Sequence, residues 1–386
     1  MNDGNKLSSR SEIKFNLKEL GGALGDFGPL HPLFLAYVKM INLDASAIMF
    51  VMGISNVLIG AYYNLPLPIE PMKAIAIYAL AHKWNATLVY ATAFGTAIIW
   101  IMLSLTGFID KILKFVPESV ARGIQLGLAM YLLVESIELM QTSILLAIAS
   151  IGMIALFSMP CIRYIIPATI LLFGLGIAIV AREGFPVPLN IYVPRINTFQ
   201  AHDVWRGMLE VGFIQIFLTL SNAVLATRIA VNEKFSRKVS DGQLALNMGL
   251  MNFLAAFFGC IPLCHGVGGF MAQYFYGART GGAMIMEGFI ELISAIFFST
   301  TVIWIFSKFP LAIIGAMLLP VSIELGKSIL VLKRRRELIV AAIVATLSYL
   351  TNLGIGFIVG ITMHYLLSKR KAITKRVLIL IRGLIV

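Results

Sequence analysis

Six stretches of this chain, 84–109, 139–162, 164–181, 211–227, 242–278 and 338–368, contain no Asp, Glu, Lys or Arg. A helix needs about 20 residues to cross the hydrocarbon of a bilayer. Each run is of that order, and 242–278 and 338–368 (with His265 and His364) are long enough to cross twice. Less pure spans are read at 20–38, 46–63, 66–81, 117–138, 282–306 and 310–328, which brings the count to fourteen. Hydrophobic residues fill 59% of 386 positions and charged residues only 13%, too little polar surface to clothe a water-soluble globule. The fold class is an all-α polytopic membrane protein.

The net charge of +12 comes from short loops between apolar runs. That distribution sets topology rather than forming a nucleic-acid surface. With the N-terminus inside, 23 of the 31 Lys and Arg fall on the inner face and 6 on the outer, leaving Lys73 and Arg122 within spans. Both termini are therefore expected in the cytoplasm and the chain in the cell membrane. The basic segment 1–19 lacks the apolar stretch of a cleavable signal before Gly21-Gly22-Ala23 and reads as a retained tail. Cys161, Cys260 and Cys264 show neither a disulfide framework nor a zinc spacing, so no metal or cofactor is called for.

The chain repeats itself at half its length. Pro68-Ile-Glu-Pro71-Met-Lys73 and Pro262-Leu-Cys-His265 both open apolar segments, 194 residues apart, and Pro117 and Pro310 do so 193 apart. Seven spans per copy is an odd number, so the second copy enters the membrane inverted, as in many transporters. The expected layout is a first repeat at 20–182, an external Pro-rich linker at 183–202, a second repeat at 203–367 and a basic tail at 368–386.

Both openings break the helix. Pro66, Pro68 and Pro71 each delete a donor and restrict the preceding residue, and Gly259–Gly269 is rich in poor helix formers. Irregular backbone at membrane depth survives only when buried in protein or beside a wet cavity. The reading is two extended stubs leading into half-helices whose positive N-termini, around Pro71, Met72 and Lys73 and around His265, Gly266, Val267, Gly268 and Gly269, suit an anion. Lys73 on a span costs roughly 2.5–3.5 kcal/mol on insertion scales, which argues for function; it is also placed to pair with Glu70. The glycines admit close approach of an anion or of a neighbouring helix. Asp26, in Gly25-Asp26-Phe-Gly28, is either a coupling or gating group or a cap at a helix break. Gln215, Thr219 and Asn222 share one helical face and, with Ser221, either line the site or join helices. His265 can donate to a substrate oxygen, carry a proton or bond to backbone. His31 and His364 read as span-end residues, and Glu135, Glu138, Glu287 and Glu291 as packing or boundary residues.

Pro68-Ile-Glu70-Pro71-Met72-Lys73-Ala-Ile-Ala resembles the first signature of the molybdate transporters related to the sulfate permeases. Pro262-Leu-Cys264-His265-Gly266-Val-Gly268-Gly269-Phe-Met-Ala-Gln273-Tyr with Tyr-Gly277-Ala-Arg279 resembles the second, and Gly25-Asp26-Phe-Gly28 the first-span motif. Glu70 stands where the family pattern has Gln; a carboxylate there repels a dianion, takes a coupling proton or neutralises Lys73. The resemblance implies seven plus seven inverted repeats of the sulfate permease and uracil permease type. It implies a core of spans one to four and eight to eleven, a gate of the remaining spans, and a site between the half-helices of spans three and ten. It also implies uptake of molybdate with a proton as coupling ion. Many sulfate permeases carry a cytoplasmic regulatory domain, where a short basic tail is expected here; a homodimer in the bilayer is a further expectation.

Sulfate and tungstate are alternative substrates of the same chemistry. A nucleobase permease shares the architecture and would use Glu70 against a ring edge. An intramembrane enzyme built on Cys264, His265 and Asp26 is disfavoured, because adjacent side chains on a helix diverge by about 100°. No GxxxxGK[ST] loop supports primary pumping.

Overall fold

The structure, a computed structural model, describes residues 12–114, 117–157, 159, 162–180, 191–235, 239–351 and 354–366. Residues 1–11 of the expected N-terminal tail, the C-terminal tail, the start of the linker, Cys161, and the side chains of His31 and Ser221 lie outside the described residues. The first half runs α1 (Leu17–Gly25), α2 (Phe27–Met40), α3 (Ala45–Tyr63), β1 (Glu70–Pro71), α4 (Lys73–Ala81), α5 (Ala86–Leu105), α6 (Phe108–Lys114), α7 (Glu118–Gln141), α8 (Ile144–Leu156) and α9 (Ile166–Val180). The second runs α10 (Ala201–Phe235), α11 (Asp241–Phe258), β2 (Leu263–Cys264), α12 (Val267–Phe275), α13 (Gly282–Phe297), α14 (Ser299–Lys308), α15 (Leu311–Gly326), α16 (Arg335–Leu350) and α17 (Gly354–Leu366).

The packing has the symmetry the repeat demands. Shifting α3, α5 and α7 by 194 residues lands on α11, α13 and α15. In space α3 packs on α13 and α5 on α11, one pairing seen twice, while α7 packs on its own counterpart α15. β1 and β2 pair antiparallel with Glu70 opposite Cys264, two residues that are also 194 apart. A two-fold relation through that pair sends α4 and α12 away in opposite directions, which is the inverted arrangement.

Association of helices in lipid relies on close contact rather than on exclusion of water. Gly53 and Gly60 of α3 meet Gly288 and Gly281 so closely that a Cβ on Gly53 or Gly288 would strike the facing carbonyl. The turn before α13 is held by the first half: Asn64 accepts the Gly281 N–H at 2.9 Å, and Glu19 those of Arg279 and Thr280.

Five helices among the described residues are long and apolar enough to cross a membrane: Ala45–Tyr63, Ala86–Leu105, Glu118–Gln141, Ala201–Phe235 and Leu311–Val331. Shorter apolar helices stand at Ile144–Leu156, Arg163–Ile177 and Gly354–Leu366. The expected single span at 282–306 is instead two helices bent by 111° at Phe298. The break falls where an apolar run gives way to Ser299-Thr300-Thr301, whose hydroxyls compete for helix backbone.

Candidate functional site

The stubs survive in the interior because their backbone groups find partners. α3 and α11 both end on left-handed residues, Asn64 and Gly259, which release the chain into extended form. Proline nitrogens at 66, 68 and 71 have no hydrogen to satisfy. Met72 N–H donates to the Pro262 carbonyl at 2.8 Å. Asn252 of α11 clamps Leu263 from both sides, donating to its carbonyl at 2.7 Å and accepting its N–H at 2.8 Å. Thr227 of α10 donates to the His265 carbonyl at 3.1 Å.

The two half-helices begin differently. At α4, Gln215 Oε1 accepts the N–H groups of Ala74 and Ile75 at 2.8 and 3.2 Å, and its amide nitrogen donates to Thr219 at 2.8 Å. At α12, Glu70 Oε1 accepts the Gly269 N–H at 2.6 Å, although Glu70 belongs to the opposite stub. Its other oxygen, Oε2, lies 3.9 Å from Lys73 Nζ. One carboxylate therefore stands where the ammonium of α4 and the first turn of α12 converge. Glycine is required there, since a Cβ on Gly266 would collide with the Glu70 carboxylate and one on Gly269 would lie 2.6 Å from its Oε1.

Lys73 contrasts with Arg122 of α7. Arg122 is 1% exposed and hydrogen-bonds Glu233, Glu118 and Gln125, so its charge is matched within the protein. Lys73 is 22% exposed and meets its carboxylate at ion-pair distance, beyond hydrogen-bond reach. It has donors to spare for a ligand. Tyr131 and Glu135 of α7 lie within electrostatic reach of it, and Leu132 faces Gly268, where a Cβ would find 3.6 Å of room. α7 thus forms the facing wall.

Asp26 sits between α1 and α2, wholly buried, with no side-chain capping bond. It adjoins the same place: a Cβ on Gly269 would lie 2.5 Å from its Oδ1. Lys73, Glu70, Gly266, Gly268, Gly269 and Asp26 are thus brought together. Pro71 is tied into the strand pair, and Met72 and Val267 are buried at the helix starts. His265 directs Nδ1 at the Pro68 carbonyl (3.3 Å), and its buried Nε2 has no protein partner. Asn222 lies in a π-helical turn, 220–226, of α10, buried and with Oδ1 unpartnered; such turns recur at functional sites. His364 pairs with Ser119, away from the stubs.

Sequence reasoning does not single out Thr227, Tyr131 or Leu132, and it reads Glu135 and Glu287 only as packing or boundary residues. Gln273 Nε2 donates to Glu287 Oε2 at 2.5 Å, and Asn56 Nδ2 to Glu291 Oε2 at 2.7 Å. Gln273 already stood in the second signature, and its partner one helix later was the available signal.

A family model described as "Molybdate transporter of MFS superfamily" matches residues 18–132 and 207–325. The chain belongs to this molybdate transporter family. The matched segments are nearly equivalent under the 194-residue shift, and each contains one half-helix. Molybdate transporter 2 of Arabidopsis thaliana is 26% identical over 422 residues, covering 94% of this chain and 90% of that protein. The fold is that of the transmembrane domain of a cyanobacterium bicarbonate transporter, BicA (TM-score 0.59, 15% identity, 88% of this chain and 96% of that one). Murine Slc26a9, an anion transporter in the inward-facing state, gives a TM-score of 0.60 at 15% identity over 95% of this chain and 70% of that one.

Proposed function

We propose that this family member imports a tetrahedral oxyanion, molybdate first, by proton-coupled secondary transport. The observation that carries the reading is the Glu70 carboxylate, an anion of the chain's own held between Lys73 and the first turn of α12. A place that satisfies a carboxylate through an ammonium and helix N–H groups satisfies an oxyanion by the same means. Two anionic groups cannot share it cheaply, because like charges about 4 Å apart repel by about 4 kcal/mol at an effective dielectric of 20. Protonation of Glu70 relieves that repulsion and frees the donors, which couples entry of the anion to uptake of a proton.

The family and the Arabidopsis relative support molybdate over sulfate or tungstate. A nucleobase would need the Glu70 carboxylate for its ring N–H, and that carboxylate is already engaged. The charge bias of the loops supports cytoplasmic termini in a cell membrane. Spans one to four and eight to eleven are the core, and α7 with the remaining spans is the gate against which the site opens.

The test is uptake. Cells lacking other molybdate systems and expressing the chain should accumulate molybdate from low external concentration in the presence of excess sulfate. Absence of accumulation, with sulfate or nucleobase taken up instead, would overturn the assignment.

A further inference from the structure

Close to Asp26 the protein holds too few hydrogens. Asp26 is fully buried and neither of its oxygens has a donor. Glu287 of α13 borders the same place, because Gly269, whose Cβ would meet Asp26, and Gln273, which donates to Glu287, are one turn apart on α12; two carboxylates offer no proton to each other. The neutral side chains around them have the same deficit. Gln273 and Asn56, both 0% exposed, each donate one amide N–H, to Glu287 and Glu291, and Gln273 Oε1 and Asn56 Oδ1 are left without donors. The charges facing Asp26 are Glu70 from β1, Glu287 and Glu291 from α13, and Lys73 from α4. Lys73 is the one cation among them, and it pairs with Glu70. Burying further carboxylates with neither a cation nor a donor is strongly unfavourable. Among the described residues no group of three or more His, Cys, Asp or Glu has an arrangement that could hold a metal ion. The cluster holds more acceptors than hydrogens.

We infer that Asp26 and Glu287 share one proton, and that this pair is the station from which Glu70 is protonated when the oxyanion enters. The inference rests on the proposed proton-coupled reading and adds Glu287 to it. The geometry supplies the path. Asp26 Oδ1 and Glu70 Oε1 flank Gly269, each within 2.6 Å of where its Cβ would be, so they are at most about 5 Å apart. One water or one side-chain rotation bridges that gap. The step balances as a proton transfer: the pair gives its proton to the Glu70 carboxylate, becomes a doubly ionised pair, and is refilled by a proton from solution. Glu291 stands one turn along α13 and is less deeply buried than Glu287.

The experiment uses the full chain in liposomes with Glu287→Gln, which keeps the shape and gives Asp26 a permanent donor. Accumulation of molybdate driven by an imposed proton gradient should fall at least tenfold and lose its stimulation by acid. Exchange of internal for external molybdate, in which the proton on Glu70 can stay in place through the cycle, should fall by less than gradient-driven accumulation. Glu287→Asp, with a carboxyl retained, should keep gradient-driven uptake with a displaced pH profile and controls for folding. Gradient-driven accumulation unchanged in Glu287→Gln would overturn the inference, as would a requirement for sodium that choline cannot replace. Failure of the unmodified protein to exchange molybdate at all would instead overturn the functional reading on which the inference rests.

Discussion

α4 and α12 leave one strand pair in opposite directions and are equivalent under the repeat, yet their first turns are satisfied by opposite chemistry. α4 is capped by a neutral amide, Gln215, and carries its own cation, Lys73. α12 carries no charge in its first turn, Val267-Gly268-Gly269-Phe270, and is capped by an anion borrowed from the other stub, Glu70. Duplication alone would give two like sites. The divergence makes one site from two halves, with the cation on one side, the open backbone on the other and a replaceable carboxylate between them.

If that contrast is functional, the heaviest loss should come from Lys73→Ala. A hydrogen bond to a charged group is worth about 1.5–3 kcal/mol, so uptake should fall by about 10- to 150-fold. Near-normal transport of labelled molybdate would reduce Lys73 to a partner of Glu70. Gly269→Ala attacks the other end, where the added methyl meets both Asp26 and Glu70. Overpacking costs about 1–3 kcal/mol, and uptake about tenfold lower is expected with the protein still inserted; unaltered uptake would show that α12 need not be approached closely. Gln215→Ala removes a cap worth about 1 kcal/mol, so a roughly fivefold weaker apparent affinity is expected, with maximal rate held. An effect as large as that of Lys73→Ala would mean that Gln215 touches the substrate and that the two ends are less unlike than drawn here.

Much of this contrast is written in short stretches of sequence. The prolines at 66, 68 and 71 and the glycines at 266, 268 and 269 mark broken helices because they delete donors or relax the backbone locally, and Lys73 stands out against an apolar run. The 194-residue offset needed only two proline landmarks, and the strand register then placed Glu70 against its own equivalent, Cys264. What could not be read were contacts across the repeat. Glu70 caps Gly269 from 199 positions away, and Gln215 reaches Ala74 over 141; no local pattern carries either. Glu287 and Glu291 have the spacing of an ordinary packing pair, and only the unpartnered oxygens of Asp26 set them apart. The π-helical turns of α10 and the bend at Phe298 likewise depend on neighbours, since tertiary packing overrides weak local preference.

The central claim is that an oxyanion takes the place of the ionised Glu70 carboxylate. It is tested most directly by counting protons on binding, with calorimetric titration of molybdate into the purified protein in two buffers of different ionisation heat. The account predicts uptake of about one proton per molybdate bound by the unmodified protein and none by Glu70→Gln, because a ligand that favours the neutral form of a group takes up a proton as it binds. Tight binding with no proton taken up by the unmodified protein, or the same uptake in Glu70→Gln, would contradict it.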